Sequence, residues 1–450
     1  MSSDLHSFVT RTTLDMLPPA VVTMAKRCLL DLIGTGAAGC QTALSRIVSG
    51  HAVRFFGSGE RTARILHDGR RASPLGAAMA GGMTIDSFDA HDGHVLTKGH
   101  AGCAVFPALA ALADASESAM TGAEFLTSLV VGYEVAIRAG ISQHRICCDY
   151  HTSGAWNALG VVAIAARSLG FDSPTLREAL GIAEYHGPRS QMMRCIDYPT
   201  MVKDGSGWGA MTGLSAAYLA QDGFTGAPAL VVEDLTCGDL WNDLGQRWRI
   251  LELYFKAYPV CRWAQPAIEA VLSVRRAHSI LPDAVRPIEI ETFHNAVRLH
   301  ERAPTSTEAA QYSLPFPVAV AMAYGEMPSA AIMGERLGDP LVRSLAGRIK
   351  LVEAPDIEAR FPAERFAKAK LKLRDGREFA SALTPARGDA SSPLSDAEID
   401  EKFSLNAHGV YDAAWADDVR AVVANLASQP SVRPLLDLIT QSGQRLPLPG

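Results

Sequence analysis

Residues 19–33, PAVVTMAKRCLLDLI, place their apolar side chains at the spacing of an α-helix, and Pro19 suits the first turn of such a helix. The same pattern returns in four later stretches: residues 125–137, 155–169, 176–185 and 211–220. Several of these stretches are rich in Ala and apolar on nearly every side, which indicates burial among other helices or at a subunit interface. The first part of the chain is therefore predicted to be all-helical.

The pattern changes after about residue 276. Four runs alternate apolar and polar side chains as half-buried strands do: residues 287–293, 348–352, 367–374 and 377–383. The last two flank Asp375-Gly376, which is a strong signal for a two-residue β-hairpin. This region is predicted to be an α+β domain that carries an antiparallel sheet.

The end of the chain returns to the helical pattern. Residues 384–393 have the composition of a linker, and Ser395 and Glu398 form a capping box that begins a helix. We therefore predict a mainly α fold. Its large all-helical domain is built from residues 1–262 and 393–450, and residues 263–392 are inserted as a smaller α+β lid domain.

Composition and charge exclude several classes of partner. The 450 residues carry a formal net charge of -6, so neither nucleic acid nor an anionic membrane surface is an expected partner. The eight cysteines have no regular spacing, which is typical of reduced thiols in a cytosolic protein. The segment Met1–His6 lacks the features of a signal peptide, and no uninterrupted apolar stretch is long enough to span a bilayer. A cytoplasmic protein is expected.

The chemistry is densest in residues 86–100. Residues 86–94 read DSFDAHDGH and His100 follows closely, so three imidazoles and three carboxylates share one short segment. A carboxylate beside an imidazole can fix its tautomer and raise its basicity, as a proton-transferring site requires. Two other interpretations stay open, namely a solvated loop and a metal site with four ligands: Asp89, His91, Asp92 and His94.

A second candidate group is His151, which precedes the predicted helix at 155–169. Thr152 or Ser153 is expected to cap that helix, which would place His151 at its positive end. This position lowers the pKa of an imidazole and favours the neutral form that a base requires. The alternative is an ordinary histidine at the end of a loop.

Lys203 begins a third block, which continues into a glycine-rich loop. The backbone N–H groups of Gly205 and Gly207 and the charge of Lys203 together would suit a carboxylate or a phosphate. A Rossmann site is excluded because no Val/Ile-rich strand precedes these glycines. The alternative is that the glycines serve only close helix packing.

A fourth block, residues 256–263, reads KAYPVCRW and lies where the two predicted domains meet. Two cations, Lys256 and Arg262, with an aromatic ring and a thiol suit the lining of a cleft. Cys261 is either a nucleophile whose pKa is lowered by these cations or an inert thiol.

In this order the blocks resemble the MmgE/PrpD family, over most of the chain. The matching segments are Asp89–Asp92 with His100, His151–Gly154, Met201–Lys203, Gly223–Gly226, Lys256–Cys261 and Tyr312–Phe316. The resemblance implies a large helical domain with an inserted lid, a homodimer, and no metal or organic cofactor. It also implies chemistry that breaks a C–H bond next to a carboxylate of a small di- or tricarboxylate.

Five residues match family active-site positions: Asp89, His100, His151, Lys203 and Lys256. His91, Gly205, Gly207, Cys261 and Arg262 are further candidates for binding the substrate. Several positions depart from the family's patterns. Gly93, Cys261 and Phe316 replace a hydroxyl residue, a histidine and a tyrosine of the decarboxylases, and Gln265 and Ser206 replace histidines that are common in the family.

These observations together predict a cofactor-independent lyase of the dehydratase type that acts on a small polycarboxylate. His151 or His100 would be the base, Asp89 would orient an imidazole, and Lys203 with Lys256 would hold carboxylates. Three alternatives stay open: an epimerase similar to iminodisuccinate epimerase, a polycarboxylate-binding protein without activity, and a metal-dependent hydrolase.

Overall fold

The structure is a computed structural model that describes residues 3–57 and 59–443. It is mainly helical, with 58% helix and 9% strand, as the sequence predicts. The helices are α1 (Ser3–Arg11), α2 (Pro19–Gly39), α3 (Ala43–Phe55), α4 (Pro74–Asp86), α5 (Gly102–Ala115), α6 (Gly122–Ile146), α7 (Gly154–Leu169), α8 (Ser173–His186), α9 (Met193–Asp197), α10 (Ser206–Gln221), α11 (Leu230–Glu233), α12 (Gly238–Trp241), α13 (Gln265–Ala277), α14 (His294–Val297), α15 (Thr307–Gln311), α16 (Pro315–Tyr324), α17 (Pro340–Ala346), α18 (Pro355–Glu358), α19 (Asp396–Ala407), α20 (Ala413–Ala424) and α21 (Arg433–Ile439). The strands are β1 (Ala63–Arg64), β2 (Arg71–Ala72), β3 (Gly93–His94), β4 (Leu253–Tyr254), β5 (Val285–Thr292), β6 (Ile349–Glu353), β7 (Phe366–Leu373), β8 (Glu378–Ala380) and β9 (Thr384–Pro385).

The chain forms two compact units. Of the described residues, the first unit comprises those up to Met192, Val202–Tyr254 and residues 395–443, and the second comprises Met193–Met201 and Phe255–Leu394. The domain ranges predicted above, with their divisions at 262 and 393, stay a prediction. Their first and last residues, 1–2 and 444–450, lie outside the described residues.

The first unit is built from apolar helices. All five predicted helical stretches are confirmed, and they lie in α2, α6, α7, α8 and α10. Helices α4, α5, α7 and α10 pack against one another. Because Ala and Gly dominate their contact faces, the backbones can approach closely, and the polar loops at the ends of these helices are held by a rigid core.

Helix α6 is buried along its apolar length. By length and composition it could cross a membrane, although charged residues interrupt its apolar sequence, and its apolar window is 100% buried in the protein. It also carries a buried ion pair between Glu134 and Arg138. The backbone N–H groups of Arg249 and Ile250 donate to the Glu134 carboxylate at 3.1 and 2.8 Å. These features fit a core helix, because a buried charge requires such partners.

The sheet of the second unit has the strand order β6-β5-β7-β8, and β9 pairs with β7. The hairpin predicted at Asp375-Gly376 is confirmed, since β7 and β8 pair in antiparallel register on either side of it. The prediction of an antiparallel sheet is wrong in one respect: β5 and β6 are parallel, so the sheet is mixed. Helices α14 to α17 lie between these two strands in the chain, and such a crossover allows parallel pairing.

The C-terminal segment completes the first unit. The predicted capping box is confirmed at the start of α19: Ser395 Oγ accepts from the Glu398 N–H, and the Glu398 carboxylate accepts from the Ser395 N–H. Helix α19 packs against α2. From α19, Lys402 donates to the Asp31 carboxylate and to the carbonyl oxygen of Ala90. The loop that contains residue 90 is thus held from the far end of the chain.

Candidate active site

The loop between α4 and α5 carries the polar segment found in the sequence. Asp89, His91, Asp92 and His94 are all buried, and His100 is half-buried. This burial rules out the interpretation as a solvated loop. Titratable side chains in an apolar core are costly unless they are paired, so these side chains require polar partners.

Asp89, His91 and His100 come together within this loop. Each offers one ligand atom, and these atoms all lie within 4.8 Å of one another. The rings of His91 and His100 have their centroids 4.3 Å apart, and His91 Nε2 lies 3.7 Å from Asp86 Oδ1. Two imidazoles and a carboxylate in this arrangement can exchange protons with a substrate. The same three side chains have the spacing of a metal site.

The other two members of the predicted metal set point elsewhere. His94 lies in β3, and its Nε2 is 3.2 Å from the Glu252 carboxylate. Burial lowers the pKa of His94. Asp92 accepts a hydrogen bond of 2.6 Å from the Tyr133 hydroxyl. Among the described residues, metal-ligand spacing is therefore found at Asp89, His91 and His100. The alternative of a metal site with Asp89, His91, Asp92 and His94 as its four ligands is wrong.

His100 is held at three points. Its backbone N–H donates to Ser153 Oγ at 2.9 Å, and its carbonyl oxygen accepts from Asn157 Nδ2 at 3.2 Å. Its Nδ1 lies 2.5 Å from the carbonyl oxygen of Asp92. A carbonyl can only accept, so we assign the proton to Nδ1. Nε2 is then the nitrogen that can take a proton from a substrate or return one.

Asp204 follows Lys203 and bonds both Ser153 and Asp86, and no pattern in the sequence pointed to this role. Its carboxylate accepts from the Ser153 N–H at 2.8 Å and from the Ser153 hydroxyl, and its own N–H donates to Asp86 Oδ2 at 3.2 Å. Burial, with the charge of Asp86 close by, raises the pKa of Asp204 to about 8. The predicted capping of α7 by the side chain of Thr152 or Ser153 is wrong, because Ser153 Oγ bonds Asp204 instead and Thr152 Oγ1 donates to the Pro188 carbonyl.

His151 lies at the same end of α7 and is 5% exposed. Its Nε2 makes no hydrogen bond to any residue that the structure describes. Burial and the positive charge of Arg189 lower the pKa of His151. The direction of this shift agrees with the prediction, although the main causes are burial and Arg189 rather than the helix. A neutral imidazole with an available nitrogen can act as a base.

Lys203 is buried, and its backbone is left-handed, with φ at 47°. A non-glycine residue in this region is uncommon and is worth attention as a functional position. Gly207 follows in α10, where a Cβ atom would lie 2.5 Å from the carbonyl oxygen of Met79 in α4. Close packing of two helices therefore accounts for Gly207. Anion binding by the N–H groups of Gly205 and Gly207 stays a prediction.

Lys256, Cys261 and Arg262 belong to the second unit, where all three are buried. Arg262 forms an ion pair with Asp389 and donates to the carbonyl oxygen of Arg387 at 3.1 Å. Gln265 donates to the carbonyl oxygens of Tyr258 and Val260 at 3.0 and 3.1 Å. It thus holds the turn that precedes Cys261. Substrate binding by Lys256, Cys261 and Arg262 stays a prediction.

Comparison with models of protein families shows to which family this chain belongs. The model of the MmgE/PrpD N-terminal domain matches residues 3–238, and that of the MmgE/PrpD C-terminal domain matches residues 258–428. The chain belongs to the MmgE/PrpD family. The resemblance found in the sequence is thereby confirmed. Members of the MmgE/PrpD family are enzymes, including dehydratases and decarboxylases.

Curated MmgE/PrpD relatives are similar over nearly the whole chain. The cis-aconitate decarboxylase of Homo sapiens is 25% identical over 432 residues, which cover 91% of this chain and 88% of the relative. A cis-aconitate decarboxylase-like protein of Aspergillus oryzae is 23% identical, with 98% and 97% covered. The cis-aconitate decarboxylase of Aspergillus terreus is 20% identical, with 98% and 96% covered.

Proposed function

We propose that this protein is a cofactor-independent lyase of the dehydratase type, which removes a proton α to a carboxylate of a small di- or tricarboxylate. The observation that carries the proposal is the cluster of Asp89, His91 and His100, whose ligand atoms lie within 4.8 Å of one another. Its member His100 is half-buried, and the carbonyl oxygen of Asp92 favours one tautomer of its ring. Membership of an enzyme family agrees with a catalytic role.

In the proposed reaction, one imidazole takes the α-proton and another protonates the leaving hydroxyl. His100 and His151 are the candidates, and Asp89 would orient one imidazole of the site. Lys203 would stabilise the enediolate-like charge that develops as the proton leaves. Two hydrogen bonds support this grouping: the Ser153 N–H donates to the Asp204 carboxylate, and Ser153 Oγ accepts from the His100 N–H. They connect the segment of Lys203 to His100.

Two related outcomes use the same proton abstraction. An epimerase would return the proton to the opposite face of the carbon, and the second histidine would then act as the acid. Decarboxylation is the activity named for several relatives, but this chain has Gly93, Cys261 and Phe316 where the decarboxylase pattern has groups that can donate protons. These departures favour dehydration over decarboxylation in the proposal.

The test is proton exchange in deuterated water, followed by NMR, with citrate-like, malate-like and aspartate-derived acids and cis-aconitate. We expect exchange of the α-proton together with a new alkene signal. Exchange with loss of stereochemistry would support the epimerase instead. Binding without exchange for every acid would contradict the proposed lyase and support a binding protein. Loss of exchange on treatment with a chelator, and its return with a divalent metal, would contradict the cofactor-independent mechanism.

The base form of His151 leads to a prediction for the pH dependence. Because its pKa is lowered below 6.5, His151 is neutral at pH 7 and gains a proton only in more acidic solution. We expect kcat/KM for exchange to fall as the pH decreases through that lowered pKa. This decrease at acidic pH should be absent in His151→Gln. The matched control is His408→Gln, an exposed histidine outside the site. The same decrease of kcat/KM at acidic pH in His151→Gln would show that His151 is not the base.

The homodimer, the absence of any required metal or organic cofactor and the cytoplasmic location stay predictions from the sequence and the resemblance.

A further inference from the structure

A close approach between three residues borders the proposed site. Gly93 of β3 pairs with Tyr254 of β4. A Cβ atom built on Gly93 would lie 2.4 Å from the Tyr254 hydroxyl oxygen and 2.8 Å from His100 Nδ1. The phenol and the imidazole therefore occupy the two sides of the space in which a side chain at position 93 would stand. Only a residue without Cβ allows both to be there.

Tyr254 belongs to the first unit, where its side chain packs against His100. Tyr254 is 4% exposed, and its ring meets the ring of His100 edge to face, with centroids 6.5 Å apart and an interplanar angle of 81°. The backbone pairing of β3 with β4 fixes where Tyr254 stands relative to Gly93. The hydroxyl group of a buried tyrosine usually lies next to a polar partner.

We propose that Tyr254 is a further residue of this site, a positioning residue that acts through His100. The inference rests on the proposed function, because it concerns the imidazole that exchanges the proton there. When His100 takes a proton at Nε2, the Nδ1 side of the ring becomes more positive. The phenolic oxygen lies on that side, together with the carbonyl oxygen of Asp92, and stabilises the imidazolium.

Other charged groups also act on His100. Asp89 and His91 lie within 4.8 Å of its ligand atom, and Asp92 belongs to the same loop. Changing Tyr254 leaves those groups in place, so the effect of its hydroxyl can be separated from theirs. The variant Tyr254→Phe removes the hydroxyl and keeps the ring that packs against His100. Gly93→Ala keeps the hydroxyl and forces it, or the ring of His100, out of position.

We expect Tyr254→Phe to lower kcat for exchange about 2- to 10-fold, as the loss of one hydrogen-bonding group does, with little change in KM. We also expect a lower pKa of His100, measured by NMR of isotope-labelled histidine in the full chain. Gly93→Ala should lower kcat at least as much. Tyr411→Phe is the matched control: it loses hydrogen bonds to His67 and to the Gln441 carbonyl and should leave kcat and the His100 pKa unchanged.

The titration of His100 needs no turnover, so it tests Tyr254 even if no acid in the panel is a substrate. A His100 pKa and a kcat in Tyr254→Phe equal to those of the unmodified protein would overturn the inference. Equal effects in Tyr254→Phe and Tyr411→Phe would also overturn it, because they would show a general loss of stability. Absence of exchange in the unmodified protein, with a shifted His100 pKa in Tyr254→Phe, would count against the proposed function alone.

Discussion

Replacing His100 by glutamine should lower the rate of α-proton exchange by about a hundred- to ten-thousand-fold, the contribution of a positioned acid or base. Glutamine keeps much of the size and polarity of the imidazole but cannot exchange a proton near neutral pH. The backbone bonds of His100 to Ser153 and Asn157 do not depend on its side chain, so the loop should stay in place. The measurement is the deuterium incorporation rate at saturating substrate.

Two further measurements make this result specific. The melting temperature of His100→Gln should stay within a few degrees of that of the unmodified protein, and His408→Gln should exchange at the unmodified rate. A rate in His100→Gln within a factor of about ten of normal would place the essential proton transfer elsewhere, because a positioned acid or base contributes more than that. His151 would then be the leading candidate.

Replacing Asp204 by alanine should have the second large effect. It leaves the Ser153 N–H and hydroxyl without their shared acceptor inside the protein. An unmade buried hydrogen bond costs about 1–3 kcal/mol, so the free energy of unfolding should fall by that order. Exchange should fall as well, because Ser153 also accepts from His100 and Lys203 precedes Asp204 in the chain. Denaturant unfolding and the exchange rate measure the two effects separately.

The conservative variant Asp204→Asn should behave differently. With its pKa raised to about 8, Asp204 is largely protonated at pH 7, and an amide matches a protonated carboxyl in shape and charge. We expect Asp204→Asn to keep most of its stability and exchange at that pH. If Asp204→Asn lost as much stability and exchange as Asp204→Ala, Asp204 would be needed as a carboxylate. That result would contradict its raised pKa.

The raised pKa also determines how stability changes with pH. Between 3.8, its ordinary value, and about 8, the folded protein holds a proton on Asp204 that the unfolded chain releases. The contribution of this group is therefore complete in acid and is lost as the pH rises to about 8. Asp204→Asn should lack that part of the pH dependence. An identical dependence in both proteins would show that Asp204 does not titrate there.

The sequence predicted the helices well because each one repeats its apolar positions within a few turns. The strands were also found from local alternation, but the direction of β6 relative to β5 depends on the helices between them. No local pattern contains that information. The hairpin of β7 and β8 could be predicted because its turn lies between two strands that follow each other in the chain. The parallel pairing that makes the sheet mixed could not be predicted, because helices separate its two strands in the chain.

The candidate site also shows that local sequence patterns do not reveal partners that are distant in the chain. Asp89, His91 and His100 could be grouped because they are close in the chain. His94 could not be separated from them, since its partner Glu252 lies 158 residues away. Ser153 was expected to cap a helix because that is its common local role, whereas its actual partner, Asp204, is 51 residues distant. Asp204 itself follows Lys203 in a polar segment, which gave no sign of its burial.

The contact of Lys402 with the carbonyl oxygen of Ala90 joins residues 312 positions apart. A ribosome synthesises residue 90 long before residue 402 leaves its exit tunnel. The nascent chain can form α4 and α5 early, but the loop between them has this contact only near the end of translation. Completion of the proposed acid–base site is therefore a late event in the biogenesis of this protein, and a ribosome stalled before α19 would carry a chain whose loop lacks that restraint.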